Sequence, residues 1–166
     1  TRQSEFAASI LAMEYEEIEP SFVEVDTDYR VVEFADGVEL YYAPNPLNAL
    51  FSFSINVEVG TEENEKLGLS AALMDVAGTQ NLSNEELQKE WYRKGSEFRF
   101  GSGENSSTFS VSGLDEQFED SLALMMELIK TPSADEQTLE QLKGILLKSR
   151  EDRKSSPPAI AQALYL

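Results

Sequence analysis

The fold is decided by residues 51–58, which read Phe-Ser-Phe-Ser-Ile-Asn-Val-Glu and alternate between apolar and polar side chains without a break. Successive side chains of a strand point to opposite faces of a sheet. This period of two therefore predicts a strand with one face on a core and the other open to water or a partner. Gly60 ends the predicted strand.

Upstream of this strand, the sequence predicts a β-hairpin around Asp36-Gly37, because both residues tolerate the positive φ of a tight turn. The hairpin strands are Val31 to Phe34 and Val38 to Tyr42, which are rich in β-branched and aromatic residues. By the same criterion, Phe22 to Val25 is predicted to form a further short strand.

Downstream of the strand, most apolar residues recur at the spacing of a helix. Residues 69–76 carry apolar side chains at helical positions, which predicts a helix closed by Gly78. A capping box of Ser83 and Glu86 predicts a second helix that stops at Gly95. Alternating residues around 97–112 predict a second hairpin. An apolar stripe over 114–129 predicts a third helix.

The last part of the chain is also predicted to be helical. A long helix is expected to begin with a capping box of Ser133 and Glu136 and to run to about Lys154. Pro157-Pro158 opens a final apolar helix that is predicted to continue to Leu166.

This order of elements predicts an α+β fold, an antiparallel-rich sheet with helices packed on one face. Residues 1–20, rich in glutamate, are interpreted as an acidic leader, and residues 21–166 as a single α+β domain. Because the chain stops within an apolar predicted helix, we expect this domain to be incomplete at its C-terminal end.

The composition excludes several classes of protein. The 166 residues carry 13 Lys and Arg against 31 Asp and Glu, a net charge of −18, which disfavours binding to nucleic acids or to anionic membranes. No apolar run reaches the roughly 18–20 residues that a membrane span requires. Without cysteine or histidine, the chain cannot build a thiolate nucleophile, a Ser-His-Asp triad or a Cys- or His-ligated zinc site.

Five segments stand at the joints between the predicted elements. They are Asp36 to Leu40, Phe53 to Gly60, Gly68 to Asp75, Leu82 to Leu87 and Leu128 to Pro132. In this order they resemble the opening hairpin, the long strand, the zinc-binding helix, the LS-x-EEL helix start and the L-x-x-P junction of the pitrilysin/insulinase family of zinc peptidases. That family includes the mitochondrial processing peptidase. The resemblance covers residues 22–166.

The resemblance implies where the family's catalytic residues would lie. Its active module carries H-x-x-E-H, in which two histidines hold zinc and the glutamate activates water. Those positions fall on Ala71, Met74 and Asp75, and the third ligand, a glutamate, falls near Lys148 or Ser149. The chain is therefore predicted to have no catalytic and no metal-binding residue. Zinc is expected only in the catalytic module of a parent protein.

The predicted function is that of a non-catalytic structural and substrate-chamber domain of a zinc metallopeptidase, the third module, at the start of its C-terminal half. The expected partners are the other modules or half of the parent and a peptide substrate, and an open sheet edge predicts self-association. The alternative is an inactive partner subunit or a stand-alone binding protein of the same fold. A hydrolase that uses carboxylates alone is disfavoured, because Asp26-Thr27-Asp28 is not an aspartic-protease motif. The sequence predicts no particular substrate-binding residue.

Overall fold

The computed structural model describes residues 4–14 and 19–164. The chain forms two compact units, Thr1–Pro46 and Leu47–Leu166. The division predicted from the sequence, a leader of residues 1–20 and one domain of residues 21–166, stays a prediction. No helix in the described part of the chain has the length and apolar character needed to cross a bilayer.

The first unit contains a short helix and the predicted hairpin. Helix α1 spans Glu5–Leu11, and strands β1 (Arg30–Ala35) and β2 (Val38–Tyr42) pair antiparallel. Gly37 has a φ of 72°, which confirms the predicted turn. The leader residues 1–3 and 15–18 lie outside the described residues.

The strand predicted at Phe22 to Val25 is wrong. Only Val25 pairs, in an isolated bridge with Tyr29. The backbone of this segment makes local hydrogen bonds instead of pairing in a sheet. The Glu24 N–H donates to the Asp28 carboxylate at 2.8 Å, and Asp26 adopts a positive φ of 67°. Aspartate side chains compete with strand pairing in this way, which explains the tight turn.

The second unit is built on a three-stranded antiparallel sheet, whose strands are β3 (Leu50–Val57), β5 (Glu97–Ser102) and β6 (Ser107–Leu114). The spatial order is β3-β6-β5, so β6 is central. Phe53 lies opposite Val111, which lies opposite Phe98, and this register gathers the apolar side chains on one face. Both the strand at residues 51–58 and the second hairpin are confirmed.

Five α-helices and a second small sheet complete this unit as far as residue 164. The helices are α2 (Lys66–Met74), α3 (Asn84–Lys94), α4 (Phe118–Lys130), α5 (Glu136–Lys154) and α6 (Pro157–Ala163). The two-residue strands β4 (Gly78–Thr79) and β7 (Pro132–Ser133) pair antiparallel. The last two residues of the predicted final helix, Tyr165 and Leu166, lie outside the described residues.

Three predicted helix ends are wrong. Helix α2 ends at Met74 with Asp75 as its cap, and Gly78 lies in β4, where a Cβ would overlap the Leu82 carbonyl oxygen. Leu114 ends strand β6, and a 3₁₀ turn at Asp115–Gln117 precedes α4. Ser133 belongs to β7, while Asp135 caps α5 by accepting the Thr138 N–H at 2.7 Å.

The core lies between the sheet and two helices. Central Val111 packs with Leu87 and Trp91 of α3 and with three residues of α4, which are Leu124, Met125 and Leu128. Met125 has no exposed surface, and Leu87, Val111 and Leu128 are each 1% exposed. Because the core forms on one sheet face only, the predicted α+β class with helices on one face is confirmed.

Candidate functional site

The three positions that the sequence assigned to the peptidase motif lie at the C-terminal end of α2. Ala71 and Met74 are half-buried in the helix, and exposed Asp75 caps it, with its N–H donating to the Ala71 carbonyl at 3.3 Å. Met74 packs against the core cluster. The side chain at the position of the family's general base therefore fills space in the core and carries no proton-accepting group.

The position implied for the third ligand lies on α5. Lys148 and Ser149 are both exposed, and they line a shallow, open groove together with Ile145 and Arg153. Helices α2 and α5 contact each other. The two helices that carry the positions implied by the resemblance thus meet in this structure, but the side chains at the implied positions on α5 are an ammonium group and a hydroxyl.

This set of side chains does not fit zinc. Zinc is held by thiolate, imidazole and carboxylate groups. Asp75 offers one carboxylate, Met74 a weakly coordinating thioether, Ala71 no donor, and Lys148 a positive charge that repels a cation. Within residues 4–14 and 19–164, no three His, Cys, Asp or Glu side chains come together in a group able to hold a metal ion.

The carboxylates with shifted pKa values have structural roles. The pKa of Glu86 is lowered because the Ser83 hydroxyl and backbone N–H donate to its carboxylate in the confirmed capping box. The pKa of Asp135 is lowered by the backbone N–H of Thr138 at the start of α5. Both shifts come from hydrogen bonds that cap helices, and such structural networks perturb pKa values without any catalytic role.

Glu127 joins distant parts of the second unit, and sequence reasoning missed it. Its carboxylate accepts the Thr79 hydroxyl at 2.7 Å and the Asn81 amide at 2.9 Å, and these bonds lower the pKa of Glu127. The Thr79 hydroxyl oxygen also accepts the N–H groups of Asn81 and Leu82. This network ties the turn before α3 to α4. The partners lie 48 and 46 residues apart in the chain, so no local pattern indicates them.

No protein-family model matches the chain, and no curated protein matches it. Solved structures match the chain in fold. A peptidase M16 inactive domain from Pseudomonas fluorescens superposes with a TM-score of 0.71 at 17% identity, over 81% of this chain and 34% of that one. A protease from Helicobacter pylori gives a TM-score of 0.64 at 17% identity, over 80% of this chain and 33% of that one.

A third structure, a mutant of the ferredoxin protease FusC in complex with Arabidopsis ferredoxin, gives a TM-score of 0.62 at 18% identity, over 92% of this chain and 19% of that chain. The present chain spans about a third of the first two structures. At this level of identity, the comparisons establish the fold. The chain has an α+β fold of the peptidase type, and that fold is the one seen in the M16 inactive domain. The resemblance to a non-catalytic pitrilysin-like module is confirmed at the level of the fold.

Proposed function

We propose that this chain is a non-catalytic module of a zinc metallopeptidase, and that it helps to wall the substrate chamber formed with the parent's other modules. One observation carries the proposal. The peptidase-like fold keeps α2 and α5 in contact, while the motif positions hold Ala71, Met74 and Asp75. Of these side chains, Met74 packs against the core, and Asp75 caps α2 through its backbone N–H, which supports a structural role for this helix.

The charge of the chain supports a basic peptide as the substrate of the parent. A net charge of −18 produces a negative potential that raises the local concentration of cationic segments. The same potential repels nucleic acids and anionic lipids. We therefore propose that the module attracts unfolded, basic polypeptides, and that zinc and peptide-bond hydrolysis belong to another module.

The first experiment rebuilds the metal site. The triple variant Ala71→His, Asp75→His and Lys148→Glu puts two histidines one helical turn apart on α2 and a carboxylate on α5, the helix that α2 contacts. We expect this variant to bind one zinc per chain in a calorimetric titration. The matched control carries only the two histidines, and we expect it to bind at least about tenfold more weakly.

A second triple variant takes the alternative third position, with Ser149→Glu in place of Lys148→Glu. The proposal predicts that one of the two triple variants binds zinc more tightly than the double variant. If neither does, positions on α2 and α5 do not converge on one point. The interpretation of α2 and α5 as the two sides of a lost metal site is then wrong.

A binding measurement tests the proposed substrate class. We expect a fluorescent, unstructured peptide rich in lysine and arginine to bind the chain, and a neutral peptide of equal length to bind much more weakly. Raising the salt concentration should release the basic peptide, because exposed charges more than about 10 Å apart are screened at 0.1 M salt. Equal affinity for the two peptides would contradict the proposed preference.

A further inference from the structure

The positive charges of this acidic chain are concentrated on one helix. Residues 143–154 of α5 contain five of the 13 Lys and Arg residues and only two acidic residues. This local excess of positive charge opposes the net charge of −18 of the whole chain. The end of α5 therefore carries a cationic patch, which we define by Lys148, Arg150, Arg153 and Lys154.

The macrodipole of α5 accounts for only part of the cationic patch. Cations stabilise the C-terminal end of a helix, and this effect is confined to the last turn. Arg153 and Lys154 lie in that turn, whereas Lys148 and Arg150 lie before it. A stabilising effect on the helix end therefore leaves two of the four cations unexplained.

Carboxylates of the same chain also leave the cationic patch unpaired. Lys143 of α5 forms an ion pair with Glu140, and the other ion pairs of the described residues involve cations of α3 and β5. Among the described residues, no ion pair includes a member of the cationic patch, and all four members are exposed. Exposed cations without a carboxylate partner are available to an acidic ligand.

The cationic patch borders the shallow groove beside Lys148. The residues that line this groove are Ile145, Lys148, Ser149, Asp152, Arg153 and Ser156. Ile145 is 65% exposed, so its apolar surface can still be covered by an apolar side chain of a ligand. The groove thus combines one apolar contact with two cations, Lys148 and Arg153, and with two hydroxyl groups.

We propose that this groove binds an acidic amphipathic helix of a partner protein, with an apolar side chain on Ile145 and carboxylates beside Lys148 and Arg153. Residues three or four apart share one face of a helix, so a leucine flanked by glutamates at these spacings presents both chemistries together. An apolar helical face in a groove is a recurring mode of recognition. Asp152 in the same groove repels a continuous polyanion, which favours this partner over a nucleic acid.

Salt sets the range over which the cationic patch acts. At about 0.15 M ionic strength the Debye length is about 8 Å, so a ligand in the groove is shielded from most of the distant acidic residues of the chain. Each exposed ion pair contributes little by itself, and the complex therefore depends on the apolar contact as well. Adding salt beyond this concentration should weaken the complex, because it screens the ion pairs.

The test is fluorescence anisotropy of a labelled helical peptide of leucine and glutamate at these spacings, titrated with the full chain at about 0.15 M salt. The variant Lys148→Gln with Arg153→Gln removes both cations from the groove. The control, Lys130→Gln with Lys143→Gln, removes two exposed cations that do not line it, so the two variants have the same net charge. We expect the groove variant to bind the peptide at least about threefold more weakly, and the control to bind it like the wild type.

A second peptide tests the apolar contact. With serine in place of leucine it leaves Ile145 uncovered, and we expect it to bind the wild-type chain more weakly than the leucine peptide. Circular dichroism establishes that both variants keep the fold. Substitution of Lys148 and Arg153 should not weaken binding of the basic peptide, so this proposal and the proposed preference for basic polypeptides can fail separately.

Three results would overturn the proposal. The first is a wild-type chain that does not bind the leucine peptide at concentrations up to about 1 mM, as would happen if another segment of the same chain filled the groove. The second is an equal loss of affinity in the groove variant and the control. The third is equal affinity for the leucine and serine peptides, which would mean that charge alone attracts them.

Discussion

Replacing Trp91 by alanine is expected to remove a large part of the stability of the second unit. Trp91 lies in α3 and is 5% exposed. Its ring stacks on Phe98 of β5, with centroids 6.0 Å apart and planes inclined by 11°. The side chain therefore joins the helix layer to the sheet, and its neighbour in sequence, Tyr92, is 89% exposed on the same helix.

The magnitude follows from the buried surface. A buried tryptophan hides roughly 200 Å² of surface, which at about 25 cal/mol per Å² corresponds to about 5 kcal/mol as an upper limit. Alanine retains a small part of that contribution, and truncations of buried aromatic residues cost about 3–5 kcal/mol. We therefore expect Trp91→Ala to lower the free energy of unfolding by about 3–5 kcal/mol. Tyr92→Ala should change it by no more than about 0.5 kcal/mol.

The assay is urea unfolding followed by far-ultraviolet circular dichroism, which does not depend on the tryptophan signal that the variant lacks. If Trp91→Ala proves too unstable to measure, Trp91→Phe keeps an aromatic ring against Phe98 and should lose less. Equal losses for Trp91→Ala and Tyr92→Ala would refute the reasoning, because they would mean that α3 does not pack on the sheet through the Trp91 side.

Four further substitutions test the packing of the second unit. Gly60→Ala should lower the free energy of unfolding of the second unit by at least about 2 kcal/mol in urea unfolding, because the new Cβ overlaps the backbone carbonyl of residue 104. Gly144→Ala should raise the free energy of unfolding by about 0.5–1 kcal/mol, because the new Cβ lies in open space within helix α5. Ser83→Ala should cost about 1 kcal/mol by removing the α3 cap, and an unchanged melting temperature would contradict this. The pKa of Glu127 is lower in the folded than in the unfolded chain. Its contribution to the free energy of unfolding is therefore complete above the unfolded-state pKa, and it is lost as the pH falls through the folded-state pKa. The free energy of unfolding of Glu127→Gln should therefore fall less steeply than that of the wild type as the pH is lowered. An equally steep fall in the variant would refute this.

The elements with local signals could be predicted from the sequence. The Asp36-Gly37 turn, the alternation at residues 51–58 and the capping box of Ser83 and Glu86 each depend on neighbours within a few residues, and the structure contains all three. These signals suffice for the class of fold, because they fix the order of strands and helices.

The misplaced helix ends depend on contacts between residues far apart in the chain. Ser133 and Asp135 can each cap a helix by residue type. Asp135 caps α5 because Ser133 pairs with β4 as part of strand β7. Strands of two residues have no periodicity that a sequence pattern could reveal. Gly78 is a reasonable helix stop by its type, but that same pairing places it in a strand.

The candidate site was predictable only in part. The positions at Ala71, Met74 and Asp75 came from the resemblance to a family, while their chemistry follows from the residue types alone. The contact between α2 and α5 and the groove beside Lys148 could not be read from the sequence, because they depend on how the helices pack.

The zinc content of the purified wild-type chain, measured by mass spectrometry after dialysis against trace zinc, tests the central claim most directly. Because the positions on α2 and α5 offer at most one carboxylate, we expect much less than one zinc per chain and no peptidase activity. One tightly bound zinc per chain, lost together with a peptidase activity on chelation, would contradict the claim that this module contributes a scaffold without a metal site.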